Sequence, residues 1–269
     1  TNNEQVVASI NKDDITADDL YDESTPYDGS TIYNMYKNAV IDQSIKTTKD
    51  LKKQASTLES NIKSNASNQS DDYESTLTTE LAKYGYASYE ELNDYCLTSV
   101  KEKEMNKKYI TKHFDEVKKA WEEKSPRTVS IIKMDVSDAD NLTETETKKK
   151  SNIDKALEKE SFADVAKAFS EDSNTANKNG FAGYVDSNST SSDSSSTSTV
   201  PADVVTAAIG LKKGETSDWI TVTSSSGTSL YKVYVKETNS KKIFNAKSDT
   251  VSNQALYAIL NSDSSLSYK

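Results

Sequence analysis

The sequence predicts an α+β chain, and two textures of hydrophobic spacing carry that prediction. Up to Pro126, apolar residues recur at helical intervals, as in Ile32, Met35, Tyr36, Ala39 and Val40. After Pro126, short β-branched and aromatic runs alternate with helical ones in the order β-α-α-β-α-β-β. At 269 residues the chain is long for one domain and suggests two.

The elements follow in order. Val6–Ile10 reads as a strand, 11–14 as a turn, and Ile15 resumes the strand. Thr16 can N-cap a helix that begins Ala17-Asp18-Asp19-Leu20. Pro26 and Gly29 break the pattern, and one long amphipathic helix is expected from Ser30 through Ile45, Leu51, Ala55, Leu58 and Ile62. Residues 64–76 are rich in Ser, Asn and Asp and read as a loop. Glu80–Tyr84 reads as a helix with Gly85 at its C-terminus. Ser88 with Glu91 is a capping box ahead of a helix holding Leu92, Tyr95, Cys96 and Val100. A last helical stretch carries Tyr109, Ile110, Phe114, Val117 and Trp121, until Ser125-Pro126 ends it.

Beyond Pro126, Thr128–Val136 is a strand, 144–159 a helix, and Ser161 caps a helix with Phe162, Val165, Ala166 and Phe169 inward. Asn179-Gly180 is a turn and Gly183-Tyr184-Val185 a short strand. Residues 186–199 are almost wholly Ser, Thr, Asn and Asp and read as a polar surface insertion. Ala202–Ile209 is a helix and Gly214 a turn. Trp219–Thr223 and Leu230–Val235 are strands joined through 224–227. The final helix, 246–260, offers Val251, Ala255, Tyr257, Ile259 and Leu260 for burial, and 261–269 is a polar tail.

Composition narrows the function. A net charge of −10 gives no basic footprint for displacing counterions from nucleic acid. The single Cys96 excludes an internal disulfide. No apolar run is long enough to span a bilayer. Because the first residue is Thr, the chain reads as mature or trimmed. The lone His113 reads as a surface or half-buried residue, Cys96 as a small core residue, and Trp121 and Trp219 as packing residues. Asp13-Asp14 and Asp18-Asp19 flank a helix start and lack the loop of a calcium site. The Ser189–Ser198 stretch is polar loop before it is a modification target. No metal or cofactor is expected.

Four segments carry a family resemblance. They are Ser161-Phe162-Ala163-Asp164-Val165-Ala166-Lys167-Ala168-Phe169-Ser170-Glu171-Asp172, Lys178-Asn179-Gly180-Phe181-Ala182-Gly183-Tyr184, the run Ala207–Ser217, and Leu230-Tyr231-Lys232-Val233. In order and spacing, residues 127–237 resemble the parvulin family of peptidyl-prolyl isomerases. The helices before it and the helix after it are similar in layout to PrsA-type foldases and SurA-like chaperones. The resemblance implies three parts: a helical chaperone module at 1–126, a parvulin-like (FKBP-like) domain at 127–240, and a helix at 241–269 that returns to the module. It also implies an extracytoplasmic foldase held on the outer face of the cell membrane by a lipid anchor upstream of Thr1. Its partners would be unfolded exported polypeptides, with a homodimer left open.

The chain departs from that family at the residues that matter most. Ile131 stands where active parvulins carry a His in the first strand, and Ser229 where a second His sits in the last strand, just before the run Leu230-Tyr231-Lys232-Val233. Phe181 replaces the Asp or Cys of the glycine turn, and Val200 and Val204 align with the proline-pocket Met and Phe. The expected substrate groove is therefore Ile131, Phe181, Tyr184, Val200, Val204 and Ser229. An isomerase lowers a barrier of about 20 kcal/mol by holding a twisted amide in a dry, shaped pocket, without an obligatory nucleophile or metal. Loss of the imidazoles predicts a groove that binds and isomerises weakly or not at all. Two alternatives stay open: an active isomerase using Ser130, Ser229 or Tyr184, and a non-catalytic surface scaffold.

Overall fold

A computed structural model describes residues 6–10, 13–16, 29–190 and 200–262. The chain divides into two compact units, Thr1–Tyr109 and Ile110–Lys269, each taken by itself below.

In the first unit, β1 (Val6–Ile10) and β2 (Asp13–Thr16) pair antiparallel. The helix expected at 17–20 lies outside the described residues. The single long helix of the sequence reading is two, α1 (Gly29–Ser44) and α2 (Lys49–Ser67). Thr48 divides them. Its backbone is extended (φ −114°, ψ 166°) and its hydroxyl accepts the Leu51 N–H at 3.2 Å, an N-cap that competes with helix continuation. The expected loop at 64–76 is shorter than that, because α2 runs to Ser67 and α3 spans Tyr73–Ala82. Tyr73, Leu77 and Leu81 recur every four residues, which is enough to hold α3 although Ser and Thr fill the other faces.

Gly85 adopts φ +84° as expected of a helix stop. The Ser88/Glu91 capping box forms and opens α4 (Leu92–Lys112). Ile45, Leu51, Ala55, Leu81, Leu92 and Cys96 make the core. The Lys101 ammonium, 6 % exposed, pairs with Asp42 at 2.7 Å and ties α4 to α1.

In the second unit, His113 interrupts what the sequence read as one stretch, and α5 is Phe114–Glu122. Then follow β3 (Arg127–Val136), α6 (Glu144–Leu157), α7 (Phe162–Phe169), β4 (Phe181–Val185), α8 (Ala202–Gly210), β5 (Ile220–Ser224) and β6 (Gly227–Glu237). The α+β class and the β-α-α-β-α-β-β order of the sequence reading are those observed. All pairings are antiparallel, in the order β4-β3-β6-β5. The β5–β6 connection is tighter than expected. Ser224 and Gly227 pair, Gly227 at φ +125°, and only two residues lie between them.

A short helix that the sequence did not announce, α9 (Ser240–Phe244), precedes α10 (Asp249–Ser262). In α10 the buried stripe is Val251, Ala255, Leu256 and Ile259. Tyr257, expected inside, is 54 % exposed. Residues 263–269 lie outside the described residues.

Helix α8 packs on one face of the sheet, and α6 and α7 on the other. Arg127 fixes the end of α8. Its guanidinium, buried and with no carboxylate partner among the described residues, donates to the carbonyls of Ala208 and Leu211 (3.0 Å for the latter) and to that of Ser125 at 3.0 Å. The Ala208 carbonyl, which also accepts the Leu211 N–H at 3.2 Å, lies at the negative end of the α8 dipole, where a cation is favoured. Burial pulls the Arg127 pKa down. Gly180 (φ +75°) lets the turn before β4 close on the core, since a Cβ there would sit 2.6 Å from the Ala166 Cβ and 2.8 Å from the Ile131 carbonyl.

The polar insertion begins later than its composition suggests. Asp186 is 4 % exposed and its carboxylate accepts the N–H groups of Asn188 (2.9 Å) and Ser189 (3.1 Å) and the Tyr184 hydroxyl (2.6 Å). It caps the turn Ser187–Thr190, so the acid is structural. Residues 191–199 lie outside the described residues.

Candidate functional site

Strand alternation decides which side chains can meet. On β3, Val129, Ile131, Lys133 and Asp135 share one face. On β6, Ser229, Tyr231, Val233 and Val235 share the same face. Helix α8 lays Val204, Val205 and Ala208 across the apolar half of it, joined by Val200. Ile131 is 1 % exposed, Val200 4 % and Val204 0 %. These three expected groove residues do come together, but as closed hydrocarbon core.

Past the reach of α8 the same face turns polar. The Lys133 ammonium lies 2.9 Å from Asp135, and the Ser229 hydroxyl donates to that carboxylate at 2.7 Å. The Asp135 N–H donates to Glu171 at 2.7 Å. Tyr231 borders the cluster, its ring within the apolar core. Burial works to raise the Asp135 pKa, but hydrogen bonds from Lys133 and Ser229 outweigh it and hold the carboxyl below its usual range. The hydrogen bond to Asp135 lifts Lys133. Burial lifts the Tyr231 phenol, which Lys133 partly offsets and Asp172 and Asp135 reinforce.

The other two expected groove residues lie elsewhere. Phe181 stands opposite Ser130 and Tyr184 opposite Thr128, both on the reverse face. The Lys236 ammonium sits 5.1 Å from the centre of the Phe181 ring. The Tyr184 hydroxyl accepts the Trp121 Nε1–H at 2.8 Å and donates to Asp186 at 2.6 Å, all three side chains buried. Burial drives the Tyr184 pKa far above the ordinary phenol value, with Asp186 adding to it. Ser130, opposite Phe181 on β3, is buried.

Sequence reasoning missed Lys133, Asp135 and Tyr231. The signal was available, since all three share strand parity with Ile131 and Ser229. That parity belongs to the strand as a whole and not to any single position.

The chemistry open to this face is limited. Tyr231 and Lys133 can donate to a peptide carbonyl beside an apolar wall, which is what twisting an amide asks of a protein. Outside this face, His113 pairs with Glu116 at 3.1 Å at the start of α5. Burial pushes the Cys96 thiol up to about 11, away from nucleophilic chemistry. Among the described residues no group of three His, Cys, Asp or Glu could hold a metal ion, and no helix is long and apolar enough to cross a membrane.

Residues 130–234 match the sequence family described as Rotamase, PPIC-type PPIASE domain. No curated protein matches the chain. Among solved structures, it is similar to PrsA from Bacillus subtilis, at 19 % identity and a TM-score of 0.40, covering 99 % of this chain and 93 % of that one. It is similar to a foldase protein PrsA from Lactococcus lactis, at 22 % identity and a TM-score of 0.41, covering 97 % and 88 %. It is also similar to foldase protein PrsA from Streptococcus pneumoniae, at 22 % identity and a TM-score of 0.36, covering 95 % and 85 %.

Proposed function

We propose, from the PPIC-type peptidyl-prolyl isomerase domain at residues 130–234, that this chain is an extracytoplasmic folding factor that binds unfolded exported polypeptides and isomerises prolyl bonds weakly or not at all. The observation that carries the second half is Ile131. It occupies the place of the first family imidazole and is 1 % exposed, packed among Val200, Val204 and Val233. An imidazole there would act on a substrate, whereas an isobutyl-sized group sealed by α8 leaves nothing for a substrate to touch. Phe181 on the opposite face takes the place of the family Asp or Cys, so the polar network that would tune a proline pocket is dispersed.

Lipid anchoring upstream of Thr1 and self-association belong to the same proposal and rest on the family resemblance. The helical parts on either side of the domain are the natural place for client contacts. Tyr33, Tyr36 and Val40 on α1 are 51 %, 70 % and 39 % exposed at helical spacing, an apolar stripe of the kind that contacts partners.

Two assays test this reading. The full chain should suppress light scattering by a denatured client at equimolar ratio. It should also turn over a proline-containing peptide with kcat/KM well below about 10⁴ M⁻¹s⁻¹. Client aggregation unaffected by the chain sinks the first half, and enzyme-like turnover sinks the second. A second reading, an active isomerase using other groups, is favoured by one observation. Lys133, Asp135, Ser229 and Tyr231 cluster on the same face as Ile131. Turnover that vanishes in Tyr231→Phe and Lys133→Met would support it.

A further inference from the structure

We infer that a cleft on the sheet face opposite α8 binds peptide segments in which carboxylates flank an apolar side chain. The cleft holds about 340 Å³ between the sheet and α9–α10. That volume accommodates one or two side chains and is at the small end of ligand sites. Its floor is hydrocarbon: Phe181 from β4, Ile243 from α9 and Val251 from α10. Its rim is cationic, with Lys236, Lys242 and Lys247 all exposed.

The charge is what identifies the occupant. The chain has 33 basic against 43 acidic side chains, so three lysines around one apolar floor run against its overall balance. Glu237 also lines the cleft, but its carboxylate is engaged by Lys213 at 2.8 Å and by the N–H groups of Thr238 and Asn239 at 3.0 Å each. Asp249 stands at the head of α10, where it faces the helix dipole. Lys236 rests over the Phe181 ring, a contact that orients its ammonium at the cleft mouth. An apolar group would enter the floor and carboxylates on either side of it would meet the lysines. Three charges in a cleft of this size fall short of the phosphate-tracking stripe that nucleic acid requires.

This inference rests on reading the chain as a polypeptide binder, but it uses neither the α8 face nor the helical unit. The probe is a labelled octapeptide with a Glu-Phe-Glu core, titrated into the full chain by fluorescence anisotropy. Its partner is the same peptide with a Gln-Phe-Gln core. The acidic peptide should bind at least ten-fold tighter than the Gln peptide, and its affinity should fall as salt rises. The double variant Lys236→Glu/Lys242→Glu changes exposed side chains only and should lose at least ten-fold. Equal affinity for the two peptides, or no loss in the variant, overturns the inference.

Amide chemical shifts of the unmutated chain provide a readout free of folding effects. Shifts at Phe181, Ala246 and Val251 support the cleft, and shifts confined to the Lys133–Tyr231 face overturn it. Binding of anionic lipid vesicles without any peptide binding overturns it as well. If peptide binding persists while a denatured client still aggregates, the folding-factor reading fails and the cleft stands.

Discussion

Replacing Tyr184 with Phe removes one oxygen and keeps the ring that stacks on Trp121 at 6.4 Å. The hydroxyl is the middle of a buried relay, accepting from Trp121 at 2.8 Å and donating to Asp186 at 2.6 Å. Without it, the fully buried indole N–H has no acceptor, a loss of about 1–3 kcal/mol. Asp186 loses a hydrogen bond to a charged group, about 1.5–3 kcal/mol, and is cushioned by the backbone N–H groups that hold its other oxygen. The two together should lower the stability of the second unit by about 3 kcal/mol. With a urea dependence near 2 kcal/mol per molar, the unfolding midpoint should fall by about 1.5 M. Both tryptophans, Trp121 and Trp219, lie in that unit, so intrinsic fluorescence reports its unfolding alone. A midpoint shift below about 0.5 M, which corresponds to about 1 kcal/mol, would refute the relay as a stabilising element.

Three further outcomes follow from named contacts. Glu146 accepts backbone N–H groups from Thr143 and Ser137 at 2.7 Å each, which holds its pKa down to about 2. Its contribution is therefore complete above its unfolded value near 4.5 and is lost as pH falls through about 2. Glu146→Gln should be less stable than the parent chain at pH 7, with the gap closing between pH 4.5 and 2 in thermal melts. Cys96, fully buried and with its thiol pushed up to about 11, should resist a thiol reagent at pH 8 until denaturant is added, as mass spectrometry would register. Gly180→Ala meets both a left-handed backbone and two close atoms, and should cost about 2–4 kcal/mol. Gly214→Ala, with φ +87° in open space, should cost about 1 kcal/mol, and equal urea midpoints for the two variants would contradict the packing at Gly180.

The fold class was legible because periodicity and caps are local. Ser88 with Glu91, and Ser161 ahead of Phe162, mark helix starts that need no tertiary information. What failed was continuity. Thr48 and His113 break helices whose apolar spacing runs straight through them, and only backbone geometry exposes the break. Tyr257 keeps the helical spacing of a core residue. Leu256 took the inward position instead. Asp186 was hidden in a Ser-rich run whose composition says surface, since a buried acid is visible only with the donors that surround it. The candidate site was half legible. Ile131, Val200 and Val204 meet in the core under α8, whereas Phe181 and Tyr184 lie across the sheet, a matter of strand parity and of the bulge between Val129 and Ser130.

The chain enters and leaves the sheet at neighbouring positions, Thr128 facing Glu237 across β3 and β6. Next to those strand ends in sequence, the rings of Phe114 of α5 and Phe244 of α9 meet at a tilt of 35°, centroids 5.4 Å apart, and Ser240 hydrogen-bonds Glu122. Two ends about 5 Å apart close the intervening hundred-odd residues into one loop whose mouth is the β3–β6 pair. A change at that mouth is therefore felt by the helices before and after the sheet at once.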